Sequence, residues 1–123
     1  MYAKDIKQLT IENTNFRTVL HTGEHSQIVA MCIVKGSEIG EEIHSNTDQM
    51  LFFVEGEGEA ILNGETRTVA KDDVVFVPAG AKHNFKNAGN GDLKLFTVYA
   101  PAEHPDGTIH KTKAEADMAE EKS

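Results

Sequence analysis

Residues 72–87 read Asp72-Asp73-Val74-Val75-Phe76-Val77-Pro78-Ala79-Gly80-Ala81-Lys82-His83-Asn84-Phe85-Lys86-Asn87. The β-branched and aromatic run from Asp73 to Val77 predicts a strand, Pro78 and Gly80 predict a turn, and His83 to Lys86 predicts the next strand. Outward from this stretch the same rhythm repeats, with short β-forming runs broken by Gly, Asn or Asp about every 8 to 12 residues. The other runs are Phe16 to His21, Ser26 to Val34, Glu42 to Ser45, Gln49 to Glu55, Gly58 to Leu62, Glu65 to Val69 and Leu93 to Ala100. Their spacing predicts an antiparallel sandwich or barrel and leaves little room for helix.

The strongest local signal is Leu62-Asn63-Gly64-Glu65. Asn-Gly tolerates the positive φ angles of a type I′ turn, whose twist matches its flanking strands, so a β-hairpin is expected there. Gly56 and Gly58 permit a tight corner in the same way. The tail from Lys111 to Glu120 is rich in helix formers and charge and reads as one short surface helix or a frayed end. No repeat or linker interrupts the pattern. Residues 1–123 are therefore expected to form a single domain.

Composition excludes several classes of function. Hydrophobic residues make up 39% of the 123 residues and charged residues 26%, values of an ordinary globular chain rather than a disordered one. The net charge is -8, from 20 acidic and 12 basic side chains, and no basic run is present to neutralise a phosphate backbone, so no nucleic-acid partner is expected. The N-terminal residues MYAKDIKQLT lack an apolar signal core, and no stretch approaches the roughly 20 apolar residues of a membrane span. A cytoplasmic protein without a membrane partner is expected. Cys32 is the one cysteine, which rules out an intrachain disulfide and a thiolate cluster and predicts a buried residue in a strand.

A second chemistry-bearing patch lies about 30 residues before His83: Gly40-Glu41-Glu42-Ile43-His44-Ser45-Asn46-Thr47-Asp48-Gln49, then the apolar run Met50 to Val54 and Glu55-Gly56. With these two patches the sequence resembles the cupin superfamily over about residues 26–100. The second cupin motif is G, five residues, PxG, two residues, H, three residues, N. Pro78, Gly80, His83 and Asn87 fill its last four positions, and Asp72 stands in place of the leading Gly. The first motif is matched in part. Counting back from Gly56 places Gln49 where the family has a Glu, His44 matches a metal histidine, and Asn46 stands where the second histidine would be. In length and motif spacing the chain is similar to the mannose-6-phosphate isomerase-like branch. The resemblance implies a double-stranded β-helix, a jelly-roll barrel, with a short C-terminal helix added.

Within that resemblance, alternation along a strand puts His44 and Asn46 on one face, and Gln49, Leu51 and Phe53 on one face of the next strand. If that face is the lumen, His44, Gln49 and His83 converge on one divalent metal (Zn, Ni, Mn or Fe), with Asn46 as a fourth candidate donor. An amide in place of a carboxylate makes a weaker, neutral ligand, leaves the ion its full charge, and removes the triad of non-haem iron oxygenases. Asp48 restores a carboxylate if its loop bends, and the sequence does not choose between Asp48 and Gln49. The apolar residues Leu51, Phe53, Phe76, Phe85 and Phe96 are expected in the core.

His104 and His110 lie in Pro101-Ala102-Glu103-His104-Pro105-Asp106-Gly107-Thr108-Ile109-His110, where two histidines and an acid near the chain's end reach the barrel mouth as candidate acids or bases if the segment folds back. The scarcity of arginine, chiefly Arg17 and Arg67, counts against a phosphosugar. Isomerisation or epimerisation of a sugar or of a keto or hydroxy acid is the expected chemistry, with a small-molecule substrate. The alternative is a non-catalytic module that binds a small ligand or a metal. A homodimer is expected, because cupin relatives commonly pair through an edge strand or a sheet face.

Overall fold

Asn63 at φ 47° and Gly64 at φ 85° supply the left-handed backbone of the turn between β5 (Glu57–Leu62) and β6 (Glu65–Ala70), as the Asn-Gly pair predicts. The computed structural model describes residues 1–121. Asn63 also fastens the hairpin sideways. Its backbone N–H donates to the Lys82 carbonyl at 2.8 Å, and its side-chain oxygen accepts from the Lys82 N–H at 3.0 Å. Lys82 opens β8 (Lys82–Asn87), which pairs with β5 and, on its other edge, with β3 (Glu42–Ile43). The first sheet therefore runs β3-β8-β5-β6.

The second sheet is built from β1 (Arg17–Thr22), β2 (Gln27–Ile33), β4 (Asp48–Glu55), β7 (Val74–Val77), β9 (Leu93–Ala100) and β10 (Ile109–His110), in the order β10-β1-β2-β9-β4-β7. Every pairing between named strands is antiparallel. The two sheets close on each other as a jelly-roll barrel. Alternation along the strands turns Val29, Met31, Ile33, Leu51, Phe53 and Leu95 of one sheet toward Ala60, Val69 and Phe85 of the other, all buried. Phe53 meets Phe85 across the interior at 6.0 Å between ring centroids.

Toward one end the interior becomes polar. Gln27, Tyr99, Gln49 and Val77 stand in register across β2, β9, β4 and β7, and all four are buried. On the facing sheet Glu42 pairs in register with His83, and His83 with Leu62. This layer holds the candidate site.

The turn residues of the sequence motifs have visible work. Gly80, at φ 86°, donates its N–H to the His44 carbonyl at 2.8 Å, and Ala79 N–H donates to Asp48 Oδ1 at 2.9 Å. The Pro78–Gly80 turn is thus stitched onto the His44–Gln49 segment, which brings the two chemistry-bearing patches together. Asn87 is architectural: its Nδ2 donates to the Ile33 and Gly91 carbonyls and its Oδ1 accepts from Gly89 N–H. Asp72, where the motif has Gly, adopts φ 75°, a left-handed conformation that Asp tolerates better than most residues.

Three expectations need correcting. The first is the N-terminus, where α1 (Ile6–Glu12) lies outside any expected helix. Asp5 caps it by accepting from Gln8 N–H at 3.1 Å, and Lys94, itself buried, donates its Nζ to the Ile11 carbonyl at its other end. The second is Phe76. Because Val77 is the residue of β7 turned inward beside Gln49, Phe76 faces outward and is 52% exposed, while Phe96 stacks on Phe52 at 4.8 Å on the same outer face. The third is β3, which stops at Ile43, so the run expected to reach Ser45 ends before His44. The expected tail helix forms as α2 (Lys113–Glu121), and Cys32 is buried in β2. Among the described residues no helix is long and apolar enough to cross a membrane.

Candidate functional site

His83 is fixed from two directions. Strand β8 turns it into the interior, where it is 3% exposed, and its Nδ1 lies 3.0 Å from the Ala81 carbonyl. A carbonyl only accepts, so Nδ1 carries the proton and Nε2 keeps its lone pair. Burial holds the His83 pKa below the ordinary histidine value, the Ala81 carbonyl opposes this, and the charge of His44 adds to it. His83 is therefore a neutral imidazole at neutral pH with one nitrogen available for coordination or hydrogen bonding.

His44 stands next to it, with ring centroids 5.2 Å apart and planes tilted by 50°. Two carboxylates hold the His44 ring: Glu103 Oε1 lies 3.1 Å from Nδ1, and Glu42 Oε2 lies 3.3 Å from Nε2. The Glu42 contact is close in distance but not aligned as a hydrogen bond, so Nε2 is buried without a hydrogen-bond partner among the described residues. Burial raises the Glu42 carboxyl pKa, His44 and then Arg17 oppose that rise, and the charges of Glu120 and Glu103 add to it. A carboxyl displaced upward beside an imidazole is a pair suited to exchanging a proton.

Gln49 completes the inner layer. It is 2% exposed, its Nε2 donates to Thr97 Oγ1 at 3.1 Å, and its Oε1 is buried without a partner among the described residues. Thr97 in turn donates to the Met50 carbonyl at 2.9 Å, which fixes which end of the amide is free.

The C-terminal segment supplies the outer layer, and the residue that positions it carried no signal in the sequence. Gln27, 1% exposed, holds the backbone at residues 103–104: its Nε2 donates to the His104 carbonyl at 2.7 Å and its Oε1 accepts from the N–H groups of His104 at 3.1 Å and Glu103 at 3.3 Å. That clamp sets Glu103 against His44 and lays the His104 ring on the edge of Tyr99, 5.2 Å between centroids. Tyr99 meets His44 edge-on at 5.9 Å. Burial raises the Tyr99 pKa, and burial followed by the charges of Arg17, His110 and His44 pushes that of His104 down to about 3. Both stay neutral near pH 7.

The other candidates from the sequence lie outside the inner layer. Asn46 occupies an exposed turn, because β3 ends before it and alternation no longer applies. Asp48 is half-buried and spends Oδ1 on Ala79 N–H. His110 sits in edge strand β10 with Nδ1 3.1 Å from Arg17 Nη1. Glu42, Tyr99, Arg17 and Gln27 join the cluster without having been singled out, since only pairing between distant strands brings them there. For Glu42 the available signal was its position two residues before His44.

The donor set can be tested against a divalent ion. His44 Nε2 and Gln49 Oε1 are buried without hydrogen bonds, and His83 Nε2 keeps a lone pair. On each side chain the opposite atom is fixed by a second group: Glu103, Thr97 and the Ala81 carbonyl. Donors oriented from behind in this way suit a metal. Two imidazoles and a neutral amide fit an ion held weakly, and among the described residues no group of three or more His, Cys, Asp or Glu is placed to hold one.

Known proteins share this architecture. A family model described as "Cupin domain" matches residues 29–99. YrkC of Bacillus subtilis (strain 168), described as uncharacterized, is 42% identical over 126 residues that cover 98% of this chain and 68% of that protein. The crystal structure of BH2720 from Bacillus halodurans superposes with a TM-score of 0.94 at 40% identity, over 95% of this chain and 93% of that one. A Thermotoga maritima protein described as a "predicted oxalate decarboxylase" superposes with a TM-score of 0.59 at 28% identity, over 62% of this chain and 66% of that one.

Proposed function

This chain belongs to the cupin domain family, and on that premise we propose that its barrel binds a small oxygen-rich molecule and moves a proton on it, as an isomerase or epimerase of a sugar or of a keto or hydroxy acid. The observation that carries the reading is His44 held between Glu42 and Glu103 beside the neutral ring of His83. Glu103 fixes the His44 ring through Nδ1. Glu42, its carboxyl pKa raised by burial, takes or returns the proton at carbon. Buried Tyr99 closes the other side of His44 and keeps water from the pair.

A divalent ion, Zn, Ni, Mn or Fe, would be held by His44, His83 and Gln49. When bound it supplies Lewis-acid polarisation of a substrate oxygen. Elemental analysis after equilibration with each ion tests this. Near-stoichiometric metal is expected in the wild type, and at least a tenfold loss in both His44→Ala and His83→Ala. Metal content that survives both substitutions sinks the assignment.

The second reading, a binding module without turnover, draws on Gln49, a neutral amide at the position where the motif carries a carboxylate. Ligands that raise the melting temperature but are recovered unchanged after prolonged incubation decide for it. Pairing of two copies is proposed along the outer face of β7, where Val74 and Phe76 are more than half exposed on an edge strand. Light scattering is expected to give twice the 13.5 kDa of one chain, and a mass of 13.5 kDa rules pairing out.

A further inference from the structure

A cavity of about 300 Å³ opens beside this cluster, lined by Arg17, Glu103, His104, Thr108, His110 and Glu120 among others. Arg17 is 2% exposed, and its guanidinium carbon sits 5.3 Å from the centre of the Phe16 ring. Nη1 lies 3.1 Å from His110 Nδ1. A guanidinium only donates, so His110 Nδ1 accepts and the ring is neutral with its proton on Nε2. Among the described residues Arg17 Nε is buried without a hydrogen-bond partner, and so is His104 Nε2. Two buried, unmet nitrogens on side chains lining one cavity are costly unless something else meets them.

We propose that this cavity is a binding site for a small monocarboxylate, anchored by the Arg17 guanidinium and flanked by His104. The planar fork of a guanidinium matches the two oxygens of a carboxylate. Among the described residues Arg17 is the one Lys or Arg lining the cavity, whereas Glu103 and Glu120 are acidic, so a monoanion is favoured over a phosphate dianion. The pKa values of His104 and His110 are both displaced downward, which leaves Arg17 as the cation among the described lining residues. Glu103 lines the cavity and also holds His44, so a ligand whose carboxylate sits on Arg17 extends toward the His44–His83 pair. The substrate class thereby narrows to a keto or hydroxy acid. What the far end of the ligand meets rests on the proposed function, but carboxylate binding at Arg17 does not.

Calorimetric titration of the full chain with pyruvate tests the site, with hydroxyacetone as its uncharged counterpart and inorganic phosphate as the dianion. Pyruvate is expected to bind at least tenfold tighter than either. Arg17→Lys, which keeps the charge but loses the fork, is expected to weaken pyruvate at least tenfold. Adding a chelator to the titration is expected to leave pyruvate affinity unchanged, which separates this site from the metal assignment. Equal affinity for pyruvate and hydroxyacetone overturns the proposal. So does an Arg17→Lys protein that binds like the wild type, and, should that variant fail to fold, the comparison of pyruvate with hydroxyacetone on the wild type decides alone.

Discussion

Gly56→Ala is expected to lower the free energy of unfolding by about 3–5 kcal/mol, a loss of roughly 10 °C or more in melting temperature for a domain of this size. Gly56 has φ 93°, and a Cβ built on it would meet the Asp92 carbonyl oxygen at 2.5 Å and Leu93 Cα at 3.0 Å. Both obstacles are backbone at the start of β9, so no side chain can swing aside. Two companion substitutions separate the causes. Gly64, at φ 85° with nothing within 4 Å of its Cβ position, carries only the conformational term, and Gly64→Ala is expected to cost about 1 kcal/mol. Asp72 already bears that term at φ 75°, and Asp72→Gly is expected to gain up to about 1 kcal/mol. A denaturant series in which Gly56→Ala costs no more than Gly64→Ala refutes the steric account.

Gly64 and Asp72 also show what was legible in the chain. Turn chemistry is local, so Asn63-Gly64 could be read as a hairpin and Pro78-Ala79-Gly80 as a turn with no knowledge of what lies beside them. Asp72 departs from the motif without departing from its geometry, because the backbone conformation and not the residue name is what the turn requires. Alternation was equally dependable inside a long strand: Gln49, Leu51 and Phe53 all face the interior from β4. It failed where the strand was short. Asn46 was assigned a face from a strand that ends at Ile43. Phe76 is a different case: it was placed in the core for its apolar side chain alone, whereas alternation in β7 turns Val77 inward beside Gln49 and Phe76 outward.

The outer half of the site was hidden for a different reason. Arg17, Gln27 and Tyr99 come from β1, β2 and β9, and nothing within their own stretches distinguishes them from ordinary strand residues, whereas the segment after β9 that holds Glu103 could be singled out only by its two histidines and an acid. Their roles arise from register between distant strands, as in the row Gln27, Tyr99, Gln49. The short helix α1 was missed although Asp5 and Gln8 carry a capping signal, because its single exchange of cap and backbone is weak beside the β-rich run that follows.

Gln27→Leu is expected to cost about 3–5 kcal/mol and to disorganise the site as well. Leucine retains the bulk of the side chain, so lost packing is a small part of the effect. Gln27 makes four hydrogen bonds, to Thr22 Oγ1, the His104 carbonyl, and the N–H groups of Glu103 and His104. Removing them leaves three backbone groups of a part-buried segment without partners, and each unmet group costs about 1–3 kcal/mol unless the segment lifts to reach water. Lifting replaces part of that cost with a different loss, because Glu103 then leaves His44 and the His104 ring leaves Tyr99. The two outcomes separate by hydrogen exchange: amides 103 and 104 stay protected in a strained but seated segment and exchange rapidly in a released one. A released segment also frees His44 Nδ1 from its carboxylate, which changes the ring's nuclear magnetic resonance signature even though residue 27 does not touch it. Unaltered stability together with protected amides at 103 and 104 contradicts the assignment of Gln27 as the residue that seats this half of the site.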